Sequence, residues 1–135
     1  MTALTEDGKV WERQGRRRTI GAAAAVTIYE GALLVQAAGY ATPATTAVSL
    51  VVLGVAESRV DNAGGAAGDK TVEVLSGIFG FKNSAGADEV LASHIGSDCY
   101  IVDDQTVSIV ATGKSIAGKV WDVDADFVYV AVGKV

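Results

Sequence analysis

At 135 residues, with 16 acids against 11 Lys and Arg, the chain carries a formal charge of −5, and half of its residues are hydrophobic. That length fits one domain able to bury its own core, and the apolar content excludes an intrinsically disordered chain. The acidic balance excludes a protein that coats nucleic acid over its whole surface.

The first twenty residues differ from the rest. They hold five basic residues (Lys9, Arg13, Arg16, Arg17, Arg18) and three acids, a balance of +2, so residues 21–135 carry −7. Trp11 is the one large aromatic there, and neither a helical nor an alternating period is present. Such a segment cannot bury itself and is expected to be an extended basic arm, residues 1–20, on an acidic body, residues 21–135. The run Arg16-Arg17-Arg18 followed by Gly21 to Val26 has parts of an export signal. Tyr29 and Glu30 break its apolar stretch and Glu6, Asp7 and Glu12 crowd the arm, so it is not read as one. No apolar run approaches the ~20 residues of a membrane helix.

The body reads as β. Runs rich in β-branched residues recur at Ala32 to Val35, Ser49 to Ala56, Thr71 to Phe79, Cys99 to Val102, Thr106 to Val110, Ser115 to Val123 and Phe127 to Val132. A glycine-rich loop spans Asp61 to Asp69, and Asp103-Asp104-Gln105 and Thr112-Gly113-Lys114 are short enough for hairpins. Asp88 to Gly96 predicts one or two helical turns stopped by Gly96. The expected fold is mainly β: a small antiparallel barrel or sandwich with one short helix and the N-terminal arm. Leu50 to Val55 and Phe127 to Val132 lack a polar face. Either a barrel with a covering layer or a second subunit must bury them, and oligomerisation is expected.

Motifs with possible chemistry are weak. Cys99 has no partner for an intramolecular disulfide and reads as a small buried residue. His94 lies near Ser93, Asp98 and Cys99, but closeness in the chain is not catalytic geometry. Gly113 to Lys119 has the glycine spacing of a phosphate loop, yet Val120 stands where Ser or Thr is needed and a strand follows instead of a helix. Gly113 and Gly118 read as turn and bulge glycines. Asp122, Asp124 and Asp126 match the first three calcium-loop positions, but Phe127 replaces the required Gly and Gly133 the closing Glu, so the stretch reads as a hairpin turn. Asp103-Asp104 point to opposite faces of a strand. No catalytic residue, cofactor or metal is assigned, and the chain is not read as an enzyme.

Arg16, Arg17 and Arg18 are the strongest polar feature, suited to carboxylates or phosphates. A nucleic-acid-binding module using this arm would need further basic residues and stacking aromatics in the body, which is acidic. Docking on an acidic protein surface, with Trp11 as apolar anchor, fits better.

The order of features across the body resembles the capsid cement, or head decoration, proteins of tailed bacteriophages. It runs from Glu30-Gly31-Ala32-Leu33-Leu34 and Leu53-Gly54-Val55-Ala56 through the glycine-rich loop. Gly68-Asp69-Lys70-Thr71-Val72-Glu73-Val74, Gly77-Ile78-Phe79 and Ile95-Gly96-Ser97-Asp98-Cys99-Tyr100 follow, then Ile116-Ala117-Gly118-Lys119-Val120 and Val128-Tyr129-Val130-Ala131-Val132. The resemblance implies a virion protein on the outer capsid surface, present in the host cytoplasm during assembly. It would clamp neighbouring major capsid protein subunits as a homo-oligomer, a trimer rather than a dimer, with no direct nucleic-acid or membrane contact. The arm residues Trp11, Arg13, Arg16, Arg17, Arg18 and Ile20 are the expected capsid contacts. A phage tail or host-attachment component is the nearest rival reading.

Overall fold

A computed structural model describes residues 3–7, 9, 13 and 15–133. The protein is mainly β, as its β-branched runs predict. Its twelve strands are β1 (Arg17–Gly21), β2 (Val26–Ile28), β3 (Leu33–Ala37), β4 (Tyr40–Pro43), β5 (Val52–Ala56), β6 (Val60–Asn62), β7 (Thr71–Leu75), β8 (Gly77–Asn83), β9 (Asp98–Ile101), β10 (Thr106–Ser108), β11 (Ile116–Val123) and β12 (Val128–Val132). The segment expected to hold helical turns contains two single 3-10 turns, Gly86–Asp88 and Ala92–His94, and Gly96 follows at φ +92. None of the described helices is long and apolar enough to cross a membrane.

Five strands form a closed barrel in the order β10-β8-β12-β11-β9, and five form an antiparallel sheet in the order β1-β7-β5-β3-β4. The sheet curls, because a bridge between Ala22 and Ala41 draws its two edges together. A small ribbon, β2-β6, completes the fold. Asn62 ties this ribbon down: its amide donates to the carbonyls of Ala23 (2.9 Å) and Ala66 (3.1 Å), linking the β1–β2 connection to the glycine-rich loop.

There are two cores, and period-two alternation explains how one sheet serves both. On β3, Leu33 and Val35 point into the barrel core with Phe81, Ile101, Val107, Val128 and Val130, whereas Leu34 enters the second core with Ile28, Val72 and Val74. On β5 a register shift opposite Leu34 and Val35 interrupts the alternation, so Val52 and Val55 take the first side and Leu53 and Ala56 the second. Full burial of each such aliphatic side chain is worth about 1.5–3 kcal/mol. From Leu53 to Val55 the two-sided apolarity is thus satisfied within the chain, by a covering layer, while Val51 stays exposed. On β12, only Val128, Val130 and Val132 are buried, while Tyr129 and Ala131 face outward and are partly exposed.

Three expectations change. Thr112-Gly113-Lys114 does not close a hairpin: β10 pairs with β9 and, in parallel, with β8, so the link crosses the barrel end to β11. The single run Thr71 to Phe79 is two strands in different sheets, broken at Ser76 and Gly77, whose φ of +154 suits glycine. Residues 17–20, placed in the arm by composition, are the first four of β1, paired with β7 from Arg17 opposite Leu75 to Gly21 opposite Thr71.

Candidate functional site

The arm residues divide at Arg16. Every described residue from 3 to 19 is exposed, Arg13 and Arg16 among them. The Arg16 carbonyl accepts the Ser76 N–H at 2.7 Å, so the arm leaves the body beside the β7–β8 break. Arg17 turns back to Glu57, N–O 2.6 Å, and Arg18 donates to the Leu53 carbonyl at 3.2 Å. The arginine triad is therefore split, with two guanidiniums fastening β1 to the body. The exposed Arg17–Glu57 pair contributes at most about 1 kcal/mol. Ile20, opposite Val72, packs against the second core. Trp11 lies outside the described residues.

A second surface was read from the sequence only in part, as the second apolar face of Phe127 to Val132. On the outer wall of the barrel, Ile78 stands opposite Ala131, and Gly80 and Asp122 flank Tyr129. Ile78, Phe127 and Trp121 are 45%, 43% and 64% exposed. Phe127 lies across Gly80, its Cγ 3.2 Å from where a Cβ would stand, and meets Tyr129 edge-on at 6.0 Å. Trp121 falls in a bulge, where the β11–β12 register shifts between Val120 and Asp122, so Trp121 and Asp122 are both exposed. A signal existed: Trp121 shares the parity of Lys119, an outward residue in the same strand.

Three acids edge this wall at the β11–β12 hairpin. The Asp124 carboxylate accepts the N–H groups of Phe127 and Asp126, each at 2.8 Å, which hold it below the usual carboxylate range. The Tyr129 phenol is pushed up, chiefly by the Asp124 charge, with smaller contributions from Asp122 and Asp126. Beside the wall, a groove of about 380 Å³ runs between Tyr29 and Phe127 over Gly31 and Gly80, with Lys82 and Asp104 at its sides. Burial, then the neighbouring Asp103, raises the Asp104 carboxyl.

The remaining motifs have structural roles. His94 Nδ1 accepts the Leu91 N–H at 2.9 Å and so closes its own 3-10 turn. Cys99 is fully buried, and burial pushes its thiol up to about 12. Lys119 pairs with Asp98 at 2.7 Å on adjacent strands. Among the described residues, no three His, Cys, Asp or Glu side chains are grouped to hold a metal ion.

No known family matches this chain, and neither a curated protein nor a solved structure does.

Proposed function

We propose that this protein is a structural virion component: a cement protein that binds the outer surface of an expanded phage head and clamps adjacent subunits of the major capsid protein. The observation that carries this reading is the exposed N-terminal segment, bearing Arg13 and Arg16, that leaves an acidic, mainly β body beside the β7–β8 break; with Arg17 and Arg18 in β1, residues 1–16 balance three basic residues against three acids. A folded body with an exposed charged arm suits a clamp. The body fixes position, while the arm reaches a neighbour, and many such weak contacts add through effective concentration on a symmetric shell. The resemblance of the ordered sequence features to head decoration proteins is in keeping with the same reading. Self-association, as a trimer, belongs to it as well.

Within this proposal Arg13 and Arg16 make the capsid contacts, together with Trp11, while Arg17, Arg18 and Ile20 anchor the arm's base. The acidic body disfavours the rival use of the arm on nucleic acid. Mixing the purified protein with separated heads and tails tests the proposal. Co-sedimentation with expanded heads is expected; recovery with tails alone would move the assignment to a tail or host-attachment component.

A further inference from the structure

We propose that the outer barrel wall formed by β8, β12 and β11 is a second docking face, and that its occupant is a basic, arginine-bearing segment of a protein partner. The inference does not rest on the capsid reading, since it is argued from barrel residues and not from those of the arm.

An exposed indole at a bulge, beside two further aromatic rings, is more apolar area than solvent contact explains. Phe127 and Tyr129 are also pre-set. Phe127 rests on the Gly80 backbone and on the edge of Tyr129, so little side-chain freedom remains to be lost on binding.

Charge decides the occupant. Asp122, Asp124 and Asp126 crowd the Tyr129 end of the wall, and neither described ion pair, Arg17–Glu57 or Lys119–Asp98, involves them. A second copy meeting wall to wall in an isologous contact would set these acids against their own equivalents, which is unfavourable. A guanidinium instead satisfies both features, because it stacks on aromatic faces and pairs with carboxylates in a planar fork. The same side of the molecule already holds one such contact: the Arg59 guanidinium lies 5.3 Å over the Tyr29 ring, and Tyr29 shares a groove with Phe127. Lysine, a compact and strongly hydrated charge, gains less from the rings.

The test is an amide and indole NMR titration of the full chain with a hexa-arginine peptide and a hexa-lysine peptide at equal ionic strength. The arginine peptide is expected to shift Trp121, its indole N–H included, and residues 122–129, and to bind about three- to fivefold tighter than the lysine peptide, the size of one or two exposed cation–π contacts. Trp121→Ala, at an exposed site, should remove that preference, and Asp122→Asn with Asp126→Asn should weaken both peptides while keeping it. Equal affinity for the two peptides, or shifts spread over all the acids, would overturn the proposal. So would broadening of the wall resonances with protein concentration alone, which would make a second copy the occupant.

Discussion

Asn83 holds Val90 by both of its main-chain groups: the side-chain amide donates to the Val90 carbonyl and its oxygen accepts the Val90 N–H, each at 2.9 Å. One side chain thus does the work of a strand neighbour for a residue in none. The segment with the two 3-10 turns is in this way seated over the barrel, and Val90 becomes part of its core at 1% exposure.

Asn83→Ala deletes both bonds and leaves the two Val90 groups without protein partners. A loss of about 2–3 kcal/mol is expected, read as a lower urea midpoint with the slope unchanged. Asn83→Asp keeps the acceptor but turns an oxygen toward the Val90 carbonyl, and should be no better than Ala.

Two glycines in neighbouring segments separate crowding from backbone strain. A Cβ on Gly118 would run into the Ala131 main-chain carbonyl across the β11–β12 pair, whereas Gly113, at φ +72, has nothing within 4 Å of that position. Gly118→Ala should cost about 2–3 kcal/mol, since neither strand can yield without disturbing the barrel. Gly113→Ala should cost about 1 kcal/mol, the left-handed backbone term alone. Thermal denaturation of the two variants would rank them in that order.

The buried thiol reports on opening of the barrel. Burial pushes the Cys99 thiol up to about 12 and leaves it fully enclosed, so the thiol form dominates at pH 8 and is out of reach of solvent. Ellman's reagent is expected to leave the native protein unlabelled over minutes and to label it promptly in denaturant. Fast labelling of the native form would show that the β9–β11 side opens readily.

How much of this was legible beforehand depends on whether a residue's neighbours in the chain are also its neighbours in space. The strands with clear β-branched runs, such as β3, β9, β11 and β12, could be read directly. The short strands β2 and β6 could not, because three residues carry no period. Thr71 to Phe79 does carry a turn pair, Ser76-Gly77, but β-type residues continue on both sides of it, so the change of sheet there was read as one run. β1 looked like arm because Arg17 and Arg18 are exposed even within the sheet; their anchors, Glu57 and the Leu53 carbonyl, lie 40 and 35 residues away. The aromatic wall was legible only in part for a similar reason: Phe127 to Val132 shows two apolar faces, but not which of them a covering layer or a partner would bury. Period-two reasoning separates the two faces of a strand, but only pairing across strands shows that Tyr129 and Phe127 gather outside with Trp121.

Two aspartates should titrate on opposite sides of the ordinary value. Asp124 is held low by the Phe127 and Asp126 amides, so its contribution to stability is complete above its unfolded pKa and disappears as pH falls through the lower folded value. Asp104 is raised by burial and by Asp103. It binds its proton more tightly when folded, so its contribution is present at low pH and is lost as pH rises from the unfolded pKa through the folded one. Carboxyl-carbon NMR should place the Asp124 midpoint below, and the Asp104 midpoint above, that of an exposed aspartate. The reverse order would mean that the hairpin amides and the groove do not set these values.

The claim that the arm joins this protein to a capsid is tested most directly by equilibrium binding to expanded heads, comparing the full chain with a form lacking residues 1–16. The shortened protein keeps β1, with Arg17 and Arg18 still fastened to the body, and gives up one bond of the body, from the Ser76 N–H to the Arg16 carbonyl, so its melting temperature is compared with that of the full chain first. The account predicts that its occupancy of heads falls at least about tenfold at equal concentration, the effect of losing roughly 1.4 kcal/mol per site. Undiminished binding by the shortened form would contradict it.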